Sequence, residues 1–132
     1  MTNIVIIRKT DYDVLGEDQI KAIASEALSR LNAKNNLEME IIFVDEDEIK
    51  KLNNKHRHID KATDVLSFPQ TFFKSNEINI LGSVVICPKI ADEREEPIEE
   101  LIKHGILHLC GYDHEADEAV WLKAAEKIDC NF

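Results

Sequence analysis

Glycine and proline are scarce in this 132-residue chain, at 4 and 3 residues. So few breakers leave little room for long irregular stretches, and regular elements with short connections are expected. Cysteine is limited to Cys87, Cys110 and Cys130. An odd number with no CxxC pair argues against a disulfide framework and predicts reduced thiols in a cytoplasmic protein. No apolar run approaches the roughly 18 residues of a membrane span, so no membrane partner is expected. The opening Met1-Thr2-Asn3-Ile4 lacks the charged region of a signal peptide. Positive charge is in deficit, with 16 Lys and Arg against 26 Asp and Glu, a formal net charge of −10. That excludes an overall basic nucleic-acid binder; any such contact needs a local patch. Internal repeats and low-complexity segments are absent.

What is present reads as one domain over residues 1–132, with 44% apolar residues to build a core. Ile4–Ile7 is a β-branched run and a first strand. Ile20, Ile23, Ala24, Ala27, Leu28 and Leu31 recur at helical spacing within Gln19–Leu31. Glu38–Val44 is a second strand, and Asp45 with Glu48 suits the cap of a helix whose buried side holds Ile49 and Leu52. Val65–Phe68, closed by Pro69, and Leu81–Cys87, closed by Pro88, read as strands. Thr71–Ile80 lacks a period and reads as a loop. Pro97 suits the first turn of a helix to about Leu109, with Gly111 ending it. Asp117–Ile128 is a last helix, with Val120, Trp121, Ala124 and Ile128 toward the core. The expected class is α+β: a small mixed sheet of about four strands with about four to five helices, and a metal site in a cleft.

Three of the five histidines fall within residues 104–114. His104 and His108 are four apart, so one helical turn stacks both imidazoles on one face. Gly111 lets the chain turn and bring His114 back as a third ligand. Three neutral nitrogens leave a fourth position of a zinc ion open, as in catalytic sites. The HxxxHxxGxxH spacing equals that of the metzincin peptidases, HExxHxxGxxH. Gly105 stands where those enzymes carry their general base, and no Met follows His114. The cage is present and the peptidase base is absent. Four neighbours stay open to two readings each. Cys110 is a buried thiol or lies near the metal. Asp113 orients a ligand imidazole or caps the turn. Tyr112 packs or donates a proton. Glu115 is a base or a solvated acid.

Lys50, Lys51, Lys55, Arg57 and Lys61, with Asp60 the one acid among residues 50–61, give a local charge of about +4. The segment is a solvated helix face or an anion site. Arg57 is singled out because a guanidinium clamps two phosphate oxygens and stabilises charge developing on phosphorus. Asp64 either orients Arg57 or caps a turn.

These blocks resemble a known family. His104–His114 resembles the HGxLHLxGYDH signature of the YbeY family of bacterial rRNA maturation factors. Asn54–Pro69 resembles its NxxxRxxDxxTDVLSFP block with a one-residue shift at the start, and Leu81–Ile86 its LGDIVI strand. The resemblance implies a single-domain α+β metalloprotein. It further implies a single-strand-specific endoribonuclease of 16S rRNA 3′-end maturation and ribosome quality control, working with the ribosomal small subunit and not on DNA. It also implies one Zn2+ held by His104, His108 and His114, and an essential arginine at Arg57. His114 and Arg57 are thus the expected catalytic pair. The chain departs from the pattern at Ser83, usually Asp, and at Ala62, often Pro. The link from Pro88 to His104 is also shorter than usual. Two routes of RNA cleavage stay open, attack by water or by the RNA's own 2′-hydroxyl. The rival readings are a non-catalytic zinc-stabilised ribosome assembly factor and another small hydrolase.

Overall fold

A computed structural model describes residues 2–33, 37–69 and 79–130. In chain order the elements are β1 (Asn3–Arg8), α1 (Glu17–Arg30), β2 (Leu37–Phe43), α2 (Glu46–Arg57), β3 (Val65–Pro69), β4 (Asn79–Ile86), α3 (Pro88–Glu93), α4 (Ile98–Leu109) and α5 (Glu118–Lys127). The strands form one mixed sheet in the order β1-β2-β4-β3, with β3 antiparallel to β4 and the other pairs parallel. The α+β expectation of about four strands and four to five helices matches this architecture.

Side-chain alternation on the central strands explains why helices cover both faces. Met39, Ile41, Phe43, Val84 and Ile86 point to one side, where they meet residues of α1, α4 and α5. Val44, Val85 and Cys87 join Leu66, Ile49 of α2 and Ile90 of α3 in a second core on the other side. Fully burying a side chain such as Phe43 or Met39 is worth roughly 1.5–3 kcal/mol, so the centre of the sheet is its most strongly held part.

Two glycines fix how closely layers approach. Gly82 has φ +138°, and a Cβ there would stand 2.3 Å from the Phe68 carbonyl oxygen. It follows a register shift in which Glu38 pairs with Ile80 and Met39 with Gly82, leaving Leu81 as an extra residue. Gly105 lies where α4 crosses β4; a Cβ there would meet Val84 Cγ1 at 2.6 Å.

Several expectations need correction. Pro88 does not merely close a strand; it opens α3, a six-residue helix too short for its period to be legible. Asn79 and Ile80 belong to β4 rather than to a loop, and the rest of Thr71–Ile80 lies outside the described residues. Asp45 sits at the α2 N-cap but makes no side-chain cap bond; its Oδ1 accepts from Thr10 Oγ1 instead. Asp117, by contrast, does cap α5, accepting from Val120 N at 3.2 Å.

Scarce glycine does not prevent sharp helix ends. Asn32, Glu95 and Asp129 adopt left-handed backbone angles after α1, α3 and α5, as Gly111 does after α4. At each, paired backbone bonds close the last turn, for example Tyr112 N to Leu107 O and Gly111 N to His108 O, both 3.0 Å.

Candidate functional site

The α4 helix buries Leu101, Ile102, Gly105, Ile106, Leu107 and Leu109 and turns His104 and His108 toward a cleft. Their Nε2 atoms stand 3.2 Å apart. Two nitrogens held at 2.0–2.1 Å by one tetrahedral ion are about 3.3 Å apart, so this pair already has the spacing of two ligands. The Gly111 turn, φ +93°, sends the chain back past the helix end and delivers His114 to the same cleft. Its ring centroid is 6.4 Å from that of His104 and 6.2 Å from that of His108. Three imidazoles on one tetrahedral ion have centroids about 5 Å apart, so His114 would move inward by about 1 Å to join them. Among the described residues no three metal-ligating side chains already stand close enough to hold an ion.

The donor chemistry suits a metal. Burial, and then the neighbouring His108 and His114, push the His104 pKa down to about 4. Burial also lowers His108, with His114 and Arg57 acting the same way and Asp113 opposing. Both rings are therefore neutral at neutral pH, the form that ligates.

Arg57 ends α2 on the opposite wall, followed by His58 in the left-handed conformation at φ 59°. It is exposed and lines the cleft together with His56, the strand Val65–Pro69 and residues Gly111–Glu115. The cleft has a volume of ≈ 750 Å³. The sequence-selected residues His104, His108, His114 and Arg57 thus meet in one place. Lys50, Lys51, Lys55 and Lys61 do not line the cleft; they lie exposed along α2 and beyond its end.

The model of the family described as Endoribonuclease YbeY matches residues 6–128. The chain belongs to the YbeY family. The endoribonuclease YbeY of Sulfurimonas denitrificans is 43% identical over 90 residues, a match covering 62% of this chain and 63% of that one. The YbeY of Sulfurihydrogenibium sp. is 39% identical over 125 residues, 88% of this chain and 82% of that protein. The Aquifex aeolicus protein is 43% identical over 107 residues, 75% and 70% of the two chains. The solution structure of TM1509 from Thermotoga maritima superposes with a TM-score of 0.55 at 27% identity, over 98% of this chain and 87% of that one.

Within this YbeY-family fold the open neighbours resolve. Asp113 Oδ1 accepts from Glu115 N at 2.9 Å and caps the turn. Tyr112 packs against the main core. Cys110 is half-buried, and desolvation pushes its thiol to about 11. Glu115 lines the cleft and is exposed. Asp64 does not orient Arg57: its Oδ1 accepts from Val65 N at 2.8 Å and faces Arg94 at 3.4 Å. Ser83 Oγ donates to Glu40 Oε2 at 3.2 Å across the sheet. Gly105 points into the core at Val84, so a Glu in its place would not reach the cleft.

One site residue was legible only as core. Trp121 of α5 is 2% exposed and packs against all three imidazoles, at 5.2 Å from His104, 5.0 Å from His108 and 5.3 Å from His114. Its helical position announces burial but not what it is buried against. No helix among the described residues is long and apolar enough to cross a membrane.

Proposed function

We propose that this chain is a zinc-dependent endoribonuclease acting on single-stranded RNA, in 16S rRNA 3′-end maturation and ribosome quality control at the small subunit in the cytoplasm. Family membership supports the reaction class. The observation that carries the reading is the pairing of two neutral, ligand-spaced imidazoles with His114 and an exposed arginine across one open cleft.

His104, His108 and His114 would hold the ion. A bound Zn2+ supplies Lewis acidity, lowering the pKa of water and polarising a phosphoryl oxygen. Arg57 receives the phosphate: its planar fork donates two parallel hydrogen bonds and offsets the charge that grows as phosphorus becomes five-coordinate. Trp121 forms an apolar floor against the three imidazoles and adds to the burial that keeps His104 and His108 neutral. The exposed lysines of α2 offset a net charge of −10 that otherwise repels RNA.

The test is cleavage of labelled single-stranded RNA by the parent, His114→Ala and Arg57→Ala, with zinc measured on each. Cleavage lost in both variants, with zinc retained in Arg57→Ala, supports the reading. Equal cleavage in all three sinks it. No cleavage in any, together with unfolding on chelation, points instead to the zinc-stabilised assembly factor. Product ends separate the routes, since a cyclic phosphate requires attack by the 2′-hydroxyl.

A further inference from the structure

The cleft contains an aromatic contact that the phosphate chemistry leaves unused. His56 occupies the last turn of α2, directly before Arg57, and its exposed ring leans on Phe68 of β3 with centroids 4.8 Å apart at 59°. Both residues line the cleft. Phe68 is held from behind, packed against the core between α2 and the sheet. A ring pinned on one side by a fixed neighbour and exposed on the other is a platform of defined position. Every nucleobase has a π face, and stacking on an aromatic side chain strengthens binding by roughly tenfold or more per base. Bases inside a duplex have their faces already covered, so only an unpaired base can use such a platform.

The strand beneath the platform points the same way. β3 is an outer strand of the sheet. Cys87 N donates to Asp64 O at 2.9 Å. Alternation along the antiparallel register then turns the amides of Leu66 and Phe68 toward β4 and that of Ser67 outward. Val65 N, also outward, is taken by Asp64 Oδ1 at 2.8 Å, and Pro69 has no N–H. Among the described residues, the edge beside the platform therefore offers Ser67 N–H to one extended strand.

We propose that His56, backed by Phe68, stacks an unpaired RNA base beside the phosphate held by Arg57, and so helps select single strands over duplex. This rests on the ribonuclease reading above. The zinc-loaded protein is titrated into single-stranded RNA carrying 2-aminopurine, following fluorescence and affinity, and cleavage is measured alongside. Stacking quenches 2-aminopurine. The parent and His56→Phe should bind with quenching. His56→Ala should bind about 10-fold more weakly without quenching at the platform nucleotide, and should discriminate less between single strand and duplex. Quenching and affinity unchanged in His56→Ala overturn the platform while leaving the nuclease reading intact if all three proteins cleave. His56→Phe behaving like His56→Ala also overturns it, because the contact would then be a charge or hydrogen bond. A parent that neither binds nor cleaves RNA removes both proposals together.

Discussion

On the α4 side of the cleft His104 and His108 share their helix with Leu101, Ile102, Ile106 and Leu107, all buried, and rest on Trp121. On the α2 side Arg57 and His56 sit at an exposed helix end, and the segment after it is tied back by His58 N and Ile59 N donating to Asn54 O and Asn53 O and by Asn53 Nδ2 donating to Lys61 O at 2.9 Å. One wall is an extension of the core; the other is a rim. The difference separates two demands. Ligand geometry tolerates little error, so it is built where packing removes freedom. Polymer contacts need access, so they are built where the backbone meets solvent. Changes on the first wall should therefore disturb metal, stability and activity together, and changes on the second should disturb RNA alone.

The sharpest break of that contrast is His108→Ala, which should lower cleavage more than about 100-fold and abolish stoichiometric zinc, read by metal analysis beside the assay. Retained zinc in this variant would mean the ion is held elsewhere. Next is Gly105→Ala. Its new Cβ meets Val84, so thermal unfolding should show a loss of about 1–3 kcal/mol despite the better helix propensity of alanine. Adding Val84→Ala should recover part of the loss; full parental stability in the single variant would mean α4 is not pressed against the sheet. Arg57→Lys keeps the charge and loses the fork, so kcat/KM should fall about 10-fold, or about 1.4 kcal/mol, with melting temperature and zinc unchanged. A shifted melting temperature would place the rim inside the cooperative core after all.

The smallest effect concerns a carboxyl pair outside the lining of the cleft, Asp64 and Glu96. Burial pushes Asp64 up, but the hydrogen bond from Glu96 and the charge of Arg94 outweigh it and hold Asp64 low, while the hydrogen bond to Asp64 raises Glu96 to about 7. Because Glu96 holds its proton more tightly in the folded state than unfolded, its contribution is complete below about pH 4.5 and fades as pH rises through 7. Glu96→Gln should flatten that decline by under about 1 kcal/mol, given solvent screening. Melting curves at pH 5 and pH 8 with the parental slope in the variant would exclude the shared proton.

Periodicity made α1 and β2 legible, because each buries one face against a continuous core, and Pro97 and Gly111 marked the ends of α4. The histidine triplet was legible for a related reason: helical spacing is a geometric statement, and His104 and His108 obey it. Residues whose importance comes from distant chain segments were not. Trp121 reaches the histidines from another helix, and His56 at the end of α2 meets Phe68 of β3 across the turn that joins them. Local rules also misled where a tertiary partner competed. Asp45 turned from its own helix to Thr10, and the left-handed ends at Asn32, Glu95 and Asp129 lacked the glycine that usually announces them.

The ends of α2 and α4 have a further consequence. Both helices terminate at the cleft, at Arg57 and at Leu109, with His108 in the last turn of α4. Each carbonyl-bearing terminus carries roughly half a negative charge. Two such ends beside one space favour a cation there, while the full positive charge of Arg57 at the end of α2 still attracts a phosphate. In the reaction proposed here the two chain ends would thus divide the work: carbonyl-rich backbone beside the histidines would favour a cation, and the Arg57 side chain projecting from the same cleft would draw the phosphate.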